Sequence, residues 1–350
     1  MTDKITSYKD ICFKLGFVMV VFFISSSICT MFINYLHLNL LQTISVTAMY
    51  ISRLSLSAIF FYGVPIIAAA AIFKEDNQES LAKMYKKPPR LSKALGNFPS
   101  MYGLGQIVNV LVLIGIWIAA EIRTTHIGEE TLERSFGTMD SIFPPNITCG
   151  VVLAIHMIFA AAIFEEFLCR GILLNALKPY GHGFAIIVTG FLFGIMHGNF
   201  HQFSYAFILG IALAYITIQT GSILAATILH AMFNSVAAIM MLFLSTETIQ
   251  NWLMPHAAGT EAERNMGLLA AYGMFIALFI GLLIAGIALA VRKIMRLKSY
   301  RAENPFPEIS TGRKYGIFLT SIPVILTILL TIDAFMGRFV ASKLYEWLWG

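Results

Sequence analysis

Long apolar runs broken by short polar stretches dominate this chain. Runs of about span length fall at residues 15–36, 54–73, 101–120, 149–168, 222–244, 267–291 and 316–335. A helix needs ~20 apolar residues to cross a bilayer. Two further runs, 184–196 and 203–218, are shorter, and a polar sequence from His197 to Gln202 joins them. Backbone in lipid must satisfy its own hydrogen bonds, so the runs are read as helices. The ten-residue alternation of a transmembrane barrel is absent. The pattern predicts an all-α, polytopic membrane helical bundle of about eight to nine membrane helices in one integral-membrane domain, 1–350. The short pair is expected to form a hairpin whose polar tip stops inside the membrane, buried in protein or lining a water-filled cavity.

Composition agrees with this pattern. The chain is 58% hydrophobic and 12% charged, against ~25% charged in an ordinary soluble domain. The net charge of +5 is not a nucleic-acid signature, because most basic residues sit in two loops, after the runs ending near 73 and 291. An even number of crossings separates those loops, so both can be cytoplasmic, with the amino terminus on the same side. The acidic stretch with Glu129, Glu130, Glu133 and Asp140 is then outside. Leu81 to Lys87 reads as a basic surface turn or a solvated loop, and Trp347 and Trp349 suit an interface. Asn146-Ile147-Thr148 matches a glycosylation sequon but is short enough to occur by chance. Four scattered cysteines form no CxxC pair and suggest neither a disulfide framework nor a zinc knuckle. The first run has no cleavage site and is read as a retained span.

Charge inside apolar sequence marks the candidate chemistry. Glu165, Glu166 and Arg170 close the 149–168 run, where ionised groups cost several kcal/mol unless they have a partner or a task. Glu166 and Arg170 are four apart and share a helix face. Glu165 points ~100° away. Burial beside a second carboxylate suits it as a general base acting on water, with Glu166 held by Arg170. His230 and Asn234 share a face of the 222–244 run and could bind a metal, orient water or hold an oxyanion. His197 stands at the hairpin tip, and Gly198 sets it apart from His201. His156, two and a half turns before Glu165, is expected on the opposite face as a structural group. Asn109 and Asp333 are read as packing groups. The set suits water activation and hydrolysis. There is no GxSxG, HExxH, GxGxxG or Walker loop.

Three elements in order, Glu165-Glu166-x-x-x-Arg170, Phe193-x-x-x-His197 and His230-x-x-x-Asn234, resemble the signature of the CPBP family. These are the CAAX prenyl endopeptidases and bacteriocin-processing proteins, also called the Abi family. The likeness covers residues 150–245, a motif-bearing catalytic core; the flanking helices 1–149 and 246–350 resemble no family. It implies an intramembrane endopeptidase acting on a membrane-associated peptide or protein. Glu165 would activate water, and His197, His230 and Asn234 would bind water and stabilise the oxyanion. The family is described both as zinc proteases and as metal-free glutamate proteases. A zinc reading would use His197, His230 and Glu165, and would cast Glu166 as base although Arg170 holds it. The metal-free reading, with no cofactor, is therefore preferred. The resemblance also admits a non-catalytic bacteriocin immunity protein or membrane scaffold. A proton-coupled transporter is disfavoured because no paired halves are visible, and a di-iron oxidase lacks its Glu-x-x-His pairs. The chain is expected in a bacterial plasma membrane, its site opening to the cytoplasm. Substrate, cleavage site and oligomeric state are not legible.

Overall fold

The computed structural model describes residues 2–40, 45–74, 84–88, 90–122, 144–253, 265–296 and 309–335. The acidic loop, most of the second basic loop, residues 81–83 and the two terminal tryptophans lie outside them. Among the described residues all regular structure is helical. The long helices are α1 (Thr2–Leu40), α2 (Val46–Ile72), α3 (Phe98–Ile122), α4 (Ile147–Tyr180), α5 (His182–Ile195), α6 (Phe200–Thr220) and α7 (Ile223–Leu244). A short α8 (Glu247–Leu253) follows, then α9 (Met266–Arg296), α10 (Thr311–Leu319) and α11 (Ile322–Phe335). Seven helices are long and apolar enough to cross a membrane, or eight if α10 and α11, bent by 67°, form one broken span. This is an integral membrane helical bundle.

Local chemistry sets the helix ends. The Asn146 side chain caps α4 by accepting from Cys149 N at 3.0 Å, and its amide donates to Thr47 Oγ1 at 3.1 Å. Capping satisfies a backbone N–H that the first turn leaves unpaired. Gly198, at φ +66°, ends α5 in a left-handed turn, and Asn199 then caps α6 through Gln202 N at 2.7 Å.

Two sequence expectations are revised. The fourth span does not end near Leu168. It continues unbroken to Tyr180, because the residues after Arg170 are again apolar and the charged groups are neutralised within the bundle. Glu165 and Glu166 therefore lie inside a membrane helix and not at its end. The hairpin is also asymmetric. The 14 residues of α5 rise only ~21 Å against a ~30 Å hydrocarbon core, whereas α6 is long enough to cross.

Small residues let the helices approach closely, as bundles in lipid require. A Cβ on Gly210 of α6 would come within 2.9 Å of Gly190 Cα on α5, and one on Gly103 of α3 within 2.3 Å of Gly286 C on α9. α4 contacts both α2 and α7, while α6 packs on α3, α5 and α7. One end of the bundle gathers the basic chain segments. Ser222 Oγ donates to Lys86 O at 2.6 Å, Lys293 Nζ to Asn97 Oδ1 at 2.7 Å, and buried Lys314 Nζ to Tyr180 O at 2.6 Å. Tyr8 Oη closes this end by donating to Lys314 O at 2.9 Å.

Candidate functional site

The site is built on α4, whose helix is irregular where it matters. π turns at His156–Ala161 and Phe167–Leu173 flank the five-residue α segment Ala162–Glu166. Each π turn widens the helix and alters the direction of the side chains beyond it. His156 is therefore not opposite Glu165. Its ring and that of Phe164 both stack on Tyr62 of α2, at 5.9 and 5.6 Å. The reading from a regular 100° step fails here because the helix is not regular.

Glu166 and Arg170 are fully buried. Arg170 Nη1 lies 2.9 Å from Glu166 Oε1, and Nη2 donates to Gly210 O at 3.0 Å. The second contact needs the close α5–α6 crossing at Gly190 and Gly210. The guanidinium also covers the Phe193 ring at 4.5 Å, where the ring face attracts a cation. Phe193 in turn meets His197 edge-on at 5.1 Å and His230 at 5.5 Å.

His230 bridges the two carboxylates. Its Nδ1 lies 3.0 Å from Glu166 Oε1, and its Nε2 faces Glu165 Oε2 at 3.9 Å. A carboxylate can only accept, so Nδ1 carries a proton and Nε2 of the neutral ring presents a lone pair. His197 is arranged alike, with Nδ1 2.9 Å from the Phe193 carbonyl and Nε2 left for the site. A gap of 3.9 Å is too long for a hydrogen bond, yet one water can touch both atoms at ~2.8 Å. Glu165 itself is 14% exposed, and its Oε1 accepts from Tyr62 Oη at 3.3 Å.

Asn234 lies one turn beyond His230. Its Nδ2 donates to Met157 O at 2.8 Å, a carbonyl within the first π turn of α4, where the usual i+4 bond is displaced. The second Nδ2 hydrogen stays available. The structure thus brings Glu165, Glu166, Arg170 and His230 into direct sequence and sets His197 beside them through Phe193. Asn109 donates to Gln106 at 3.2 Å, a packing role as expected.

Sequence reasoning missed two tyrosines. Tyr62 sat in an apolar run with no polar neighbour to single it out. Tyr85 belongs to segment 84–88, which Ser222 anchors at the start of α7 through Lys86. Its Oη is buried without a hydrogen-bond partner, as is Glu166 Oε2. Burial first, then the negative charge of Glu166, pushes the Tyr85 phenol up, so it remains a donor.

Two imidazole Nε2 lone pairs and a carboxylate are ligands zinc accepts, each imidazole having the Nδ1 partner such ligands favour. Among the described residues, however, no three His, Cys, Asp or Glu side chains converge as a metal cluster. As arranged, the set does not fit a resident ion.

Comparison with known families bears on this geometry. The family model described as Type II CAAX prenyl endopeptidase Rce1-like matches residues 147–236. That segment is Rce1-like. It runs from the first turn of α4 through Asn234 and contains all six candidate residues. At the level of the family, the likeness is to a CAAX-type intramembrane protease. No curated protein and no solved structure matches the chain. Tyr62 and Tyr85 lie outside the Rce1-like segment.

Proposed function

We propose that the chain is an intramembrane endopeptidase of the glutamate type, hydrolysing a peptide bond in a membrane-associated peptide or protein. The observation that carries this reading is Glu165 Oε2 facing His230 Nε2 across 3.9 Å, with His230 held from behind by Glu166. A water in that gap donates one hydrogen to Glu165 and the other to the Nε2 lone pair. Glu165 takes the proton as the water oxygen attacks the carbonyl carbon. Glu165 then returns it to the amide nitrogen as the C–N bond breaks, leaving a carboxylate and an amine.

The tautomers divide the remaining work. Neutral His230 and His197 both present Nε2 lone pairs, which orient water but cannot donate to an oxyanion. Asn234 still has one amide hydrogen to give, and it is the donor we assign to the oxyanion. Arg170 balances the charge of Glu166 and leaves Glu165 as the reactive carboxylate. We further propose that the basic end of the bundle, with the amino terminus, faces the cytoplasm, and that substrate reaches the site from that side.

The test is cleavage of a membrane-peptide library by purified protein, comparing wild type with Glu165→Ala and His230→Ala, with and without a strong zinc chelator. Cleavage lost in both variants and retained with chelator supports a glutamate-type protease. Cleavage lost with chelator and restored by zinc would assign His197, His230 and Glu165 to a metal site instead. No cleavage by wild type would favour an immunity or scaffold protein that acts by binding.

A further inference from the structure

Glu165 is set by a residue that the family match does not contain. Tyr62 lies on α2, in a π turn over Ala58–Gly63. Pro65, just beyond, has no N–H to continue the regular ladder, which accounts for the irregular backbone at this point. The carbonyl of Phe60 in this turn is taken by Ser25 Oγ of α1 at 2.8 Å, and Ser25 is buried. The ring of Tyr62 is clamped between His156 and Phe164 of α4. Three helices therefore fix the position of one phenol, and that phenol reaches Glu165 Oε1. The other carboxylate oxygen is the one that faces His230.

We propose that Tyr62 is the positioning residue for Glu165. Its hydroxyl holds Oε1 and so turns Oε2 toward His230 Nε2 and the water between them. A free glutamate side chain in a half-open site would sample several rotamers, only some of which aim a lone pair at that water. Fixing one oxygen removes that freedom before substrate arrives, which is where an enzyme gains most from a pre-set geometry. This inference rests on the endopeptidase reading for its effect on rate, but the contact itself does not depend on catalysis.

The variant that isolates the hydroxyl is Tyr62→Phe, since the ring and its two stacks are retained. Two readouts separate this proposal from the endopeptidase reading. In the cleavage assay, Tyr62→Phe lowers kcat by about ten- to a hundred-fold, the range for a lost hydrogen bond to a charged group, with KM within about twofold. Combined with Glu165→Gln it causes no further loss. In the second readout, wild type and Tyr62→Phe are labelled in detergent with an apolar carbodiimide and Glu165 modification is read by mass spectrometry, with Glu247 as internal reference. The freed carboxylate is modified several-fold more in the variant. If wild type does not cleave but the labelling differs, the positioning contact stands and the protease reading fails. Equal labelling of Glu165 in the two proteins overturns the positioning role, and so does increased labelling with unchanged kcat. Tyr62→Ala, which also removes the stacks, reports the packing contribution through thermal stability and keeps it apart from the hydroxyl.

Discussion

Arg170 has two separable duties, and substitutions can pull them apart. It balances buried Glu166, and its Nη2 joins α4 to the Gly210 carbonyl of α6. Arg170→Met leaves Glu166 as an uncompensated buried charge, which costs about 3–5 kcal/mol and should appear as a marked drop in thermal stability in detergent. Pairing it with Glu166→Gln removes the stranded charge. The double variant should recover most of that stability. It should still fail to cleave, because His230 Nδ1 no longer has an anionic partner to fix its ring. Recovery of both stability and activity would count against an orienting role for Glu166.

Helix irregularity and close crossings decide what the elements can do. The carboxylate pair is carried between two π turns, and Asn234 of α7 occupies the Met157 carbonyl within the first. Asn234→Ala strands that carbonyl and should cost about 1–3 kcal/mol, besides removing the oxyanion donor. Stability and kcat are then expected to fall together, whereas His197→Ala should lower activity with less effect on thermal stability. The α5–α6 crossing is equally specific. Gly210→Leu would drive a side chain into Gly190, at a cost of about 1–3 kcal/mol or more, and would displace the carbonyl that Arg170 uses. Reduced monodisperse yield on size-exclusion chromatography, with loss of cleavage in what remains, is the expected result. Element length was the more legible part of the sequence. The long runs were placed within a few residues. The end of the fourth span was misjudged because charge in an apolar run looks like a boundary until its partners are known.

For the whole molecule, the basic chain segments collect at one end: Lys86 on Ser222, Lys293 on Asn97, and Lys314 on Tyr180. This agrees with the even number of crossings inferred between the two basic loops. A reporter inserted after Lys87 should score cytoplasmic, and one inserted after Asn146 should score on the opposite face; the reverse pattern would overturn the proposed orientation. The Rce1-like segment by itself lacks α1, α2 and α3. It therefore lacks Tyr62, the Ser25 contact that holds its turn, and the Gly103–Gly286 crossing. Expressed alone, residues 147–253 should be inactive, and co-expression with residues 1–122 is the measurement that asks whether the missing helices restore cleavage.

By itself the sequence determined the class of the protein and the chemistry of its central residues. Lipid forces apolar runs into helices, and it makes every intramembrane charge conspicuous, so Glu165, Glu166, Arg170, His197, His230 and Asn234 could be read directly. Only the tertiary structure decided how those groups divide the work. The Glu166–His230 contact spans separate helices, as does the bond from Tyr62 to Glu165, and no periodicity within one run encodes either. His156 makes the same point within a helix, since π turns break the regular step on which any face assignment from sequence depends.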